Sequence, residues 1–269
     1  SNDNMLAHVN LAGALLEAGD YAAAEQHYEQ AIGYRPQEIV YDGLALALIG
    51  QGKLDAATRA AESAVKANPK SAGALAILGS VELSRGDTAN AERALSRSLQ
   101  LKPDPAVAAR LALARGQLDQ ARNHFAEAIE ANPRDADLRN DYAAVLARLG
   151  SDAEARSQYE EALAINSNSY DARMNYGALL SRLGRNDAAA RHFADAARLR
   201  PQSPEPHVYL ALLEAGAHRF DLATRDIESA IAIDHDASNA LLINAIRIPP
   251  RQTAIDEYLT FLRQQSGHR

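Results

Sequence analysis

The 34 residues LRNDYAAVLARLGSDAEARSQYEEALAINSNSYD (138–171) are followed without a gap by ARMNYGALLSRLGRNDAAARHFADAARLRPQSPE (172–205). Laid over one another, they align Tyr142 with Tyr176, Arg148 with Arg182, Gly150 with Gly184, Ala155 with Ala189 and Ala162 with Ala196. The same phase extends toward the N-terminus. Gly19, Gly52, Gly86, Gly116, Gly150 and Gly184 are separated by 33, 34, 30, 34 and 34 residues. Five residues after each glycine stands an alanine: Ala24, Ala57, Ala91, Ala121, Ala155 and Ala189. Thirty-four further on, Ala223 marks a seventh copy whose glycine place is held by His218. A second phased set is Ala31, Ala64, Ser98, Ala128, Ala162, Ala196 and Ala230, and Pro36, Pro69, Pro103, Pro133 and Pro201 close five copies. A period of this length is the sequence signature of a stacked array.

Each copy reads as two helices. Apolar residues at helical spacing precede the glycine, as in Leu75, Leu78 and Gly79 or Met174, Tyr176 and Leu180. The glycine supplies a left-handed stop, and a short polar turn such as Gly19-Asp20 or Gly86-Asp87 opens the second helix. That helix ends near Asn-Pro or Arg-Pro, because proline cannot continue it and restricts the residue before it. Phased alanines mark places where two helix backbones approach closely.

Composition agrees. Among 269 residues 57 are alanine, with no Trp, no Cys and 5% aromatics, a mixture suited to close-packed helices and poor for a β-sandwich. The absence of cysteine excludes disulfides, thiolate metal sites and cysteine nucleophiles and leaves the compartment open. A net charge of −7 argues against nucleic acid as a partner. The longest apolar stretch, 43–50, falls far short of the about 20 residues of a membrane-spanning helix, so no direct membrane insertion is expected. The opening residues lack the basic-then-apolar layout of a signal peptide, and the native start is expected upstream of Ser1. Only four basic residues are lysine; with the alanine load this suggests a bacterial gene.

A 34-residue helix–turn–helix unit with these residues resembles the tetratricopeptide repeat (TPR) family. The family's Leu-small pair is matched by Leu11-Ala12, Leu44-Ala45, Leu78-Gly79 and Leu210-Ala211, and with tyrosine by Tyr142-Ala143 and Tyr176-Gly177. Its late aromatic is matched by Tyr28, Phe125, Tyr159 and Phe193; Ala61, Leu95 and Ile227 stand there in the other copies. The family's first tryptophan is absent, and His8, Tyr41, Leu75, Arg139, Arg173 and His207 hold its place. The resemblance implies an all-α, right-handed solenoid superhelix. Seven repeats are expected over residues 5–237, at about 5–37, 38–71, 72–103, 104–135, 136–169, 170–203 and 204–237, with capping helices over 238–269. The fourth repeat has lost about one turn of its first helix, since only 13 residues separate Pro103 from Gly116 where 17 separate Pro69 from Gly86; a break is expected near 103–116.

Short strings that resemble chemistry fail on inspection. Gly50-Gln51-Gly52-Lys53 lacks the earlier glycine and the following Ser or Thr of a phosphate loop, having Ala47 and Leu54 there. Arg85-Gly86-Asp87 spells an adhesion tripeptide but occupies the repeat's turn. The eight histidines form no zinc-helix spacing, Asp234-His235-Asp236 reads as a solvated turn, and carboxylates follow the repeat instead of gathering into an acid–base pair. No catalytic residue, cofactor or metal site is expected.

The resemblance further implies that the first helix of each repeat lines a groove, through about its second, fifth, sixth, ninth and thirteenth residues. In repeats one to three these places hold Leu6, Val9, Gly13, Ile39, Leu46, Gly50, Ala76 and Ser80, with Asn10, Glu17 and Asp42 as polar exceptions. In repeats five to seven they hold Asp137, Asn140, Asp141, Arg148, Asp171, Asn175, Arg182, Glu205 and Tyr209. The lysine–asparagine clamp by which some family members hold acidic peptide tails is unmatched: Val9, Gly13, Gly43, Gly73 and Ile77 stand there. Asn10 and Asn175 fall where the repeats of O-linked sugar transferases carry asparagines. The reading is a protein- or peptide-binding scaffold whose ligand, an extended segment of mixed charge, lies across repeats five to seven on Asp137, Asn140, Asp141, Arg148, Asp171, Asn175, Arg182 and Tyr209. Two other readings stay open: a non-catalytic arm of a larger bacterial enzyme or envelope assembly (a glycosyltransferase, pilus, secretion or polysaccharide-export component), and self-association through the apolar half-groove.

Overall fold

In a computed structural model the described residues are 2–34, 36–238, 257 and 260. Fourteen helices run through them: α1 (Asn2–Glu17), α2 (Tyr21–Tyr34), α3 (Glu38–Gly50), α4 (Leu54–Ala67), α5 (Ala72–Arg85), α6 (Thr88–Leu101), α7 (Pro105–Ala114), α8 (Leu118–Ala131), α9 (Ala136–Arg148), α10 (Asp152–Ile165), α11 (Tyr170–Arg182), α12 (Asn186–Leu199), α13 (Glu205–Gly216) and α14 (Phe220–Ile233). No strand occurs among the described residues. The fold is an all-α solenoid of seven consecutive antiparallel helix pairs. The capping helices expected over 238–269 lie outside the described residues apart from Ser238, Glu257 and Thr260.

Local chemistry sets the boundaries. All six phased glycines are left-handed, with φ from 71° to 81°, and the remaining left-handed residue among those described is His218, the seventh copy's substitute, at φ 58°. An L side chain is disfavoured there, which is why glycine fills the other six. Second helices open on side-chain caps in two repeats, Asp20 accepting from the Ala23 amide and Asp87 from that of Asn90. Ser71, Asp104, Asp135 and Ser169 cap first helices in the same way.

The chain forms two compact units, residues 1–167 and 168–269. In the first, α1 to α10 stack in sequence, and the alternate helices α1, α3, α5 and α7 also touch their neighbours. In the second, α11 to α14 do the same. Every phased alanine is buried, at 0% exposure for the first set and at most 2% for the second. Ser98, standing in an alanine place, donates its hydroxyl to the Ala72 carbonyl at 2.8 Å, so its burial leaves no orphaned polar group.

In two repeats the side chain at the late-aromatic place packs on the small residue sixteen positions earlier. A Cβ on Gly79 would stand 2.5 Å from Leu95, and one on Gly177 2.7 Å from the Phe193 ring. The expected break at 103–116 is not where the molecule divides. Helix α7 is indeed short, at ten residues, but Val107, Ala109, Leu111 and Ala112 are all buried and pack on α5, α6 and α8. The division falls instead at Ser167/Asn168.

Candidate functional site

The three chemical look-alikes are structural. Gly52 is the turn between α3 and α4, and the Lys53 ammonium pairs with the Glu25 carboxylate at 2.7 Å. Burial pushes the Glu25 carboxyl up, but hydrogen bonds from Lys53 and Gln51 outweigh it and leave the group lowered. Gly86 is the turn before α6, Asp87 is its cap, and Arg85 pairs with Asp55 at 3.3 Å and Glu82 at 3.4 Å. Asp234 caps the Ala237 amide, and no group of three or more metal-ligating side chains occurs among the described residues.

The place of the family's tryptophan has a local explanation. His8 meets His27 nitrogen to nitrogen at 3.0 Å, with their rings stacked at 5.2 Å. Arg139 donates to Gln158 at 2.9 Å and pairs with Glu161 at 2.5 Å. Arg173 pairs with Asp195 at 2.5 Å, and His207 faces Asp226 at 3.4 Å. In four repeats a polar pair thus ties the first helix to the second where an indole would pack. Sequence reasoning missed these pairs because nineteen or more residues separate the partners.

The first helices of the repeats present the five positions expected to line a groove unequally. The second position is the most open, with Ile39 at 62% and Leu6 at 58% exposure and Asp137 and Asp171 exposed. The thirteenth is also open, exposing Arg148 and Arg182, and at the ninth Leu46 is 40% exposed. The fifth turns into the seam between helices: Asn140 is buried at 8% and Met174 at 7%. At the sixth, Gly43 is buried beneath Tyr28, whose ring would stand 2.2 Å from an added Cβ.

Each sequence-selected residue can now be placed. In the first unit Asp137 and Arg148 are exposed at opposite ends of α9, Asn140 is buried with its amide 3.4 Å from Asp141, and Asp141 is partnered by Arg110 at 3.5 Å. In the second unit Asp171 lies 3.5 Å from Arg200, Arg182 is exposed, and Asn175 is half-buried. Tyr209 stacks on Phe193 with ring centroids 4.9 Å apart, so only part of its surface is open. Glu205 belongs to a half-buried cluster: the Tyr170 hydroxyl lies 2.9 Å from that of Ser203 and donates to Glu205 at 3.3 Å, while the Arg200 guanidinium covers the Tyr170 ring at 3.9 Å. Burial pushes both the Tyr170 phenol and the Glu205 carboxyl upward. The acid and the arginine of α9, and likewise those of α11, are eleven residues apart, which is about three turns and the same helix face.

An array of paired helices with buried small residues at a 34-residue phase is a tetratricopeptide-repeat array. The sequence pattern of the family described as the cilia and flagella-associated protein 70 C-terminal domain matches residues 2–179, and the chain belongs to this family of tetratricopeptide-repeat domains. Solved structures share the fold at low identity. The crystal structure of the APC/C hetero-tetramer Cut9-Hcn1 matches with a TM-score of 0.62 and 16% identity over 88% of this chain and 48% of that one. Yeast Tom70 matches at 0.57 and 17%, over 99% of this chain and 56% of that one. A tetratricopeptide repeat protein from Parabacteroides merdae ATCC 43184 matches at 0.55 and 16%, over 89% and 98%. This chain therefore spans about half the length of the Cut9-Hcn1 and Tom70 chains that it matches. No curated protein matches the sequence significantly.

Proposed function

We propose that this protein is a non-catalytic scaffold that binds a protein or peptide segment along its inner helices. The observation that carries the reading is the exposed acid-then-arginine pattern repeated on α9 (Asp137, Arg148) and on α11 (Asp171, Arg182). Each of these helix faces, taken by itself, recognises a ligand at little ordering cost to the protein. The ligand of the α11 face is a segment of mixed charge, with arginine–carboxylate contacts fixing its register and the Asn175 amide able to donate to and accept from a peptide backbone, and the α9 face by itself offers the same pair of charges. Asp141, held by Arg110, adds an acid to α9, and Tyr209 offers the edge that Phe193 leaves open. The test is the double substitution Arg148→Ala with Arg182→Ala, assayed against the partner recovered by crosslinking pull-down from the native organism. Affinity should fall and its salt dependence flatten. Unchanged affinity, with loss on substituting Leu6 or Leu46, would move the site to the apolar N-terminal repeats.

A further inference from the structure

The inner face of the first three repeats holds one side chain that its surroundings do not explain. On α3, Ile39, Asp42 and Leu46 lie within about 60° of one another around the helix axis. Ile39 and Leu46 are exposed, as is Leu6 on the neighbouring inner helix α1. Of the other groove positions of α1 and α5, Val9, Gly13, Ala76 and Ile77 are apolar and Asn10, Glu17 and Ser80 are polar, so Asp42 is an acid set in a largely apolar stripe. One oxygen of its carboxylate is fully buried and has no hydrogen-bond donor among the described residues. Neither α1 nor α3 contains a lysine or arginine, and the single one of α5, Arg85, is engaged by Asp55 and Glu82. The charge that does act on Asp42 is Glu38, one turn earlier, and it is repulsive; burial first and Glu38 second push the Asp42 carboxyl up to about 6. A partly buried carboxylate without a cation is costly to the fold, whereas a cation brought by a ligand would relieve that cost only in the complex.

We propose that the inner face of α1, α3 and α5 is a second binding site, which takes a peptide segment carrying a lysine or arginine between apolar side chains. Asp42 receives the cation, and Leu6, Ile39 and Leu46 receive the flanking apolar groups. The charge argues for a foreign segment over a second copy of this chain: two copies, each at −7, repel. The proposal rests on the reading of the array as a peptide-binding scaffold but uses chemistry opposite to that of the Arg148 and Arg182 positions.

The experiment is selection of a random dodecapeptide phage library on the full chain. The strongest binder is then synthesised with a fluorescein label and measured by anisotropy. Selected peptides should be enriched in Lys or Arg flanked by Leu, Ile, Val or Phe. Asp42→Asn should weaken the chosen peptide about tenfold, as should replacing its basic residue by norleucine, and the two changes together should cost no more than either alone. Leu46→Ser should weaken both the basic and the norleucine peptides, and Glu62→Ala on α4 should leave all affinities unchanged. Asp42→Asn removes a buried charge, so its melting temperature should not fall, which separates lost binding from lost folding. Basic selectivity that survives Asp42→Asn overturns the proposal and leaves the Arg148 and Arg182 reading standing. Binders that depend on Arg148 and Arg182 alone overturn it in favour of that reading. A library that yields no binder overturns both, and a dimer in light scattering that Leu46→Ser abolishes assigns the stripe to a second copy instead.

Discussion

His218 holds a left-handed φ of 58° at the place where six other repeats have glycine. An L side chain there costs about 1 kcal/mol or more, and its compensation is an exposed contact with Glu257 at 3.1 Å, which is worth little. His218→Gly should therefore stabilise the protein by about 0.5–1 kcal/mol, even after the added freedom of the unfolded chain. Thermal melts should move upward, and a downward shift would show that the Glu257 contact outweighs the strain. Asp42 makes a second residue-scale prediction. Its folded pKa, about 6, lies above the unfolded value of about 3.9, so the folded state holds this proton more tightly. The penalty is absent below about pH 4, grows between pH 4 and 6, and is complete above 6. Asp42→Asn should thus raise stability at pH 7.5 by about 1–2 kcal/mol, discounted for partial exposure, and the gain should vanish at pH 4. A gain that persists at pH 4 would locate its cause in packing.

At the scale of the helix pair, stability comes from close approach. Ala155 and Ala189 are at 0% exposure, where the second helix of a repeat meets the first. Ala155→Leu or Ala189→Leu should each lower stability by about 1–3 kcal/mol, because the added volume must separate two backbones. Melts indistinguishable from the parent would refute the assigned register. This layer was almost entirely legible in the sequence, since the turns need glycine at one φ and the interfaces need alanine at one depth, and both needs recur with the period. The groove was legible only in outline. The exposed ends of each inner helix, Asp137 and Arg148 or Asp171 and Arg182, follow from helical phase alone. The burial of Asn140 and of Gly43 beneath Tyr28 depends on how adjacent helices tilt, which no residue spacing encodes. The polar pairs at the tryptophan place were equally hidden, because His8 and His27, or Arg173 and Asp195, meet only once the two helices have folded back.

For the whole molecule, the proposed recognition belongs to the first helices of the repeats, polar in α9 and in α11 and largely apolar around one acid in α3. The outer helices, in this view, serve only to hold them. The most direct measurement is site-specific photo-crosslinking, with the photoreactive residue placed singly at Leu46, Arg148 and Arg182 on inner helices and at exposed Glu62 and Glu130 on outer ones. The account predicts that the inner positions label discrete partner segments, basic and apolar at Leu46 and acidic at Arg148 and Arg182, while Glu62 and Glu130 label nothing above background. Strong labelling from Glu62 or Glu130 with none from the inner positions would contradict it and place recognition on the outer helices.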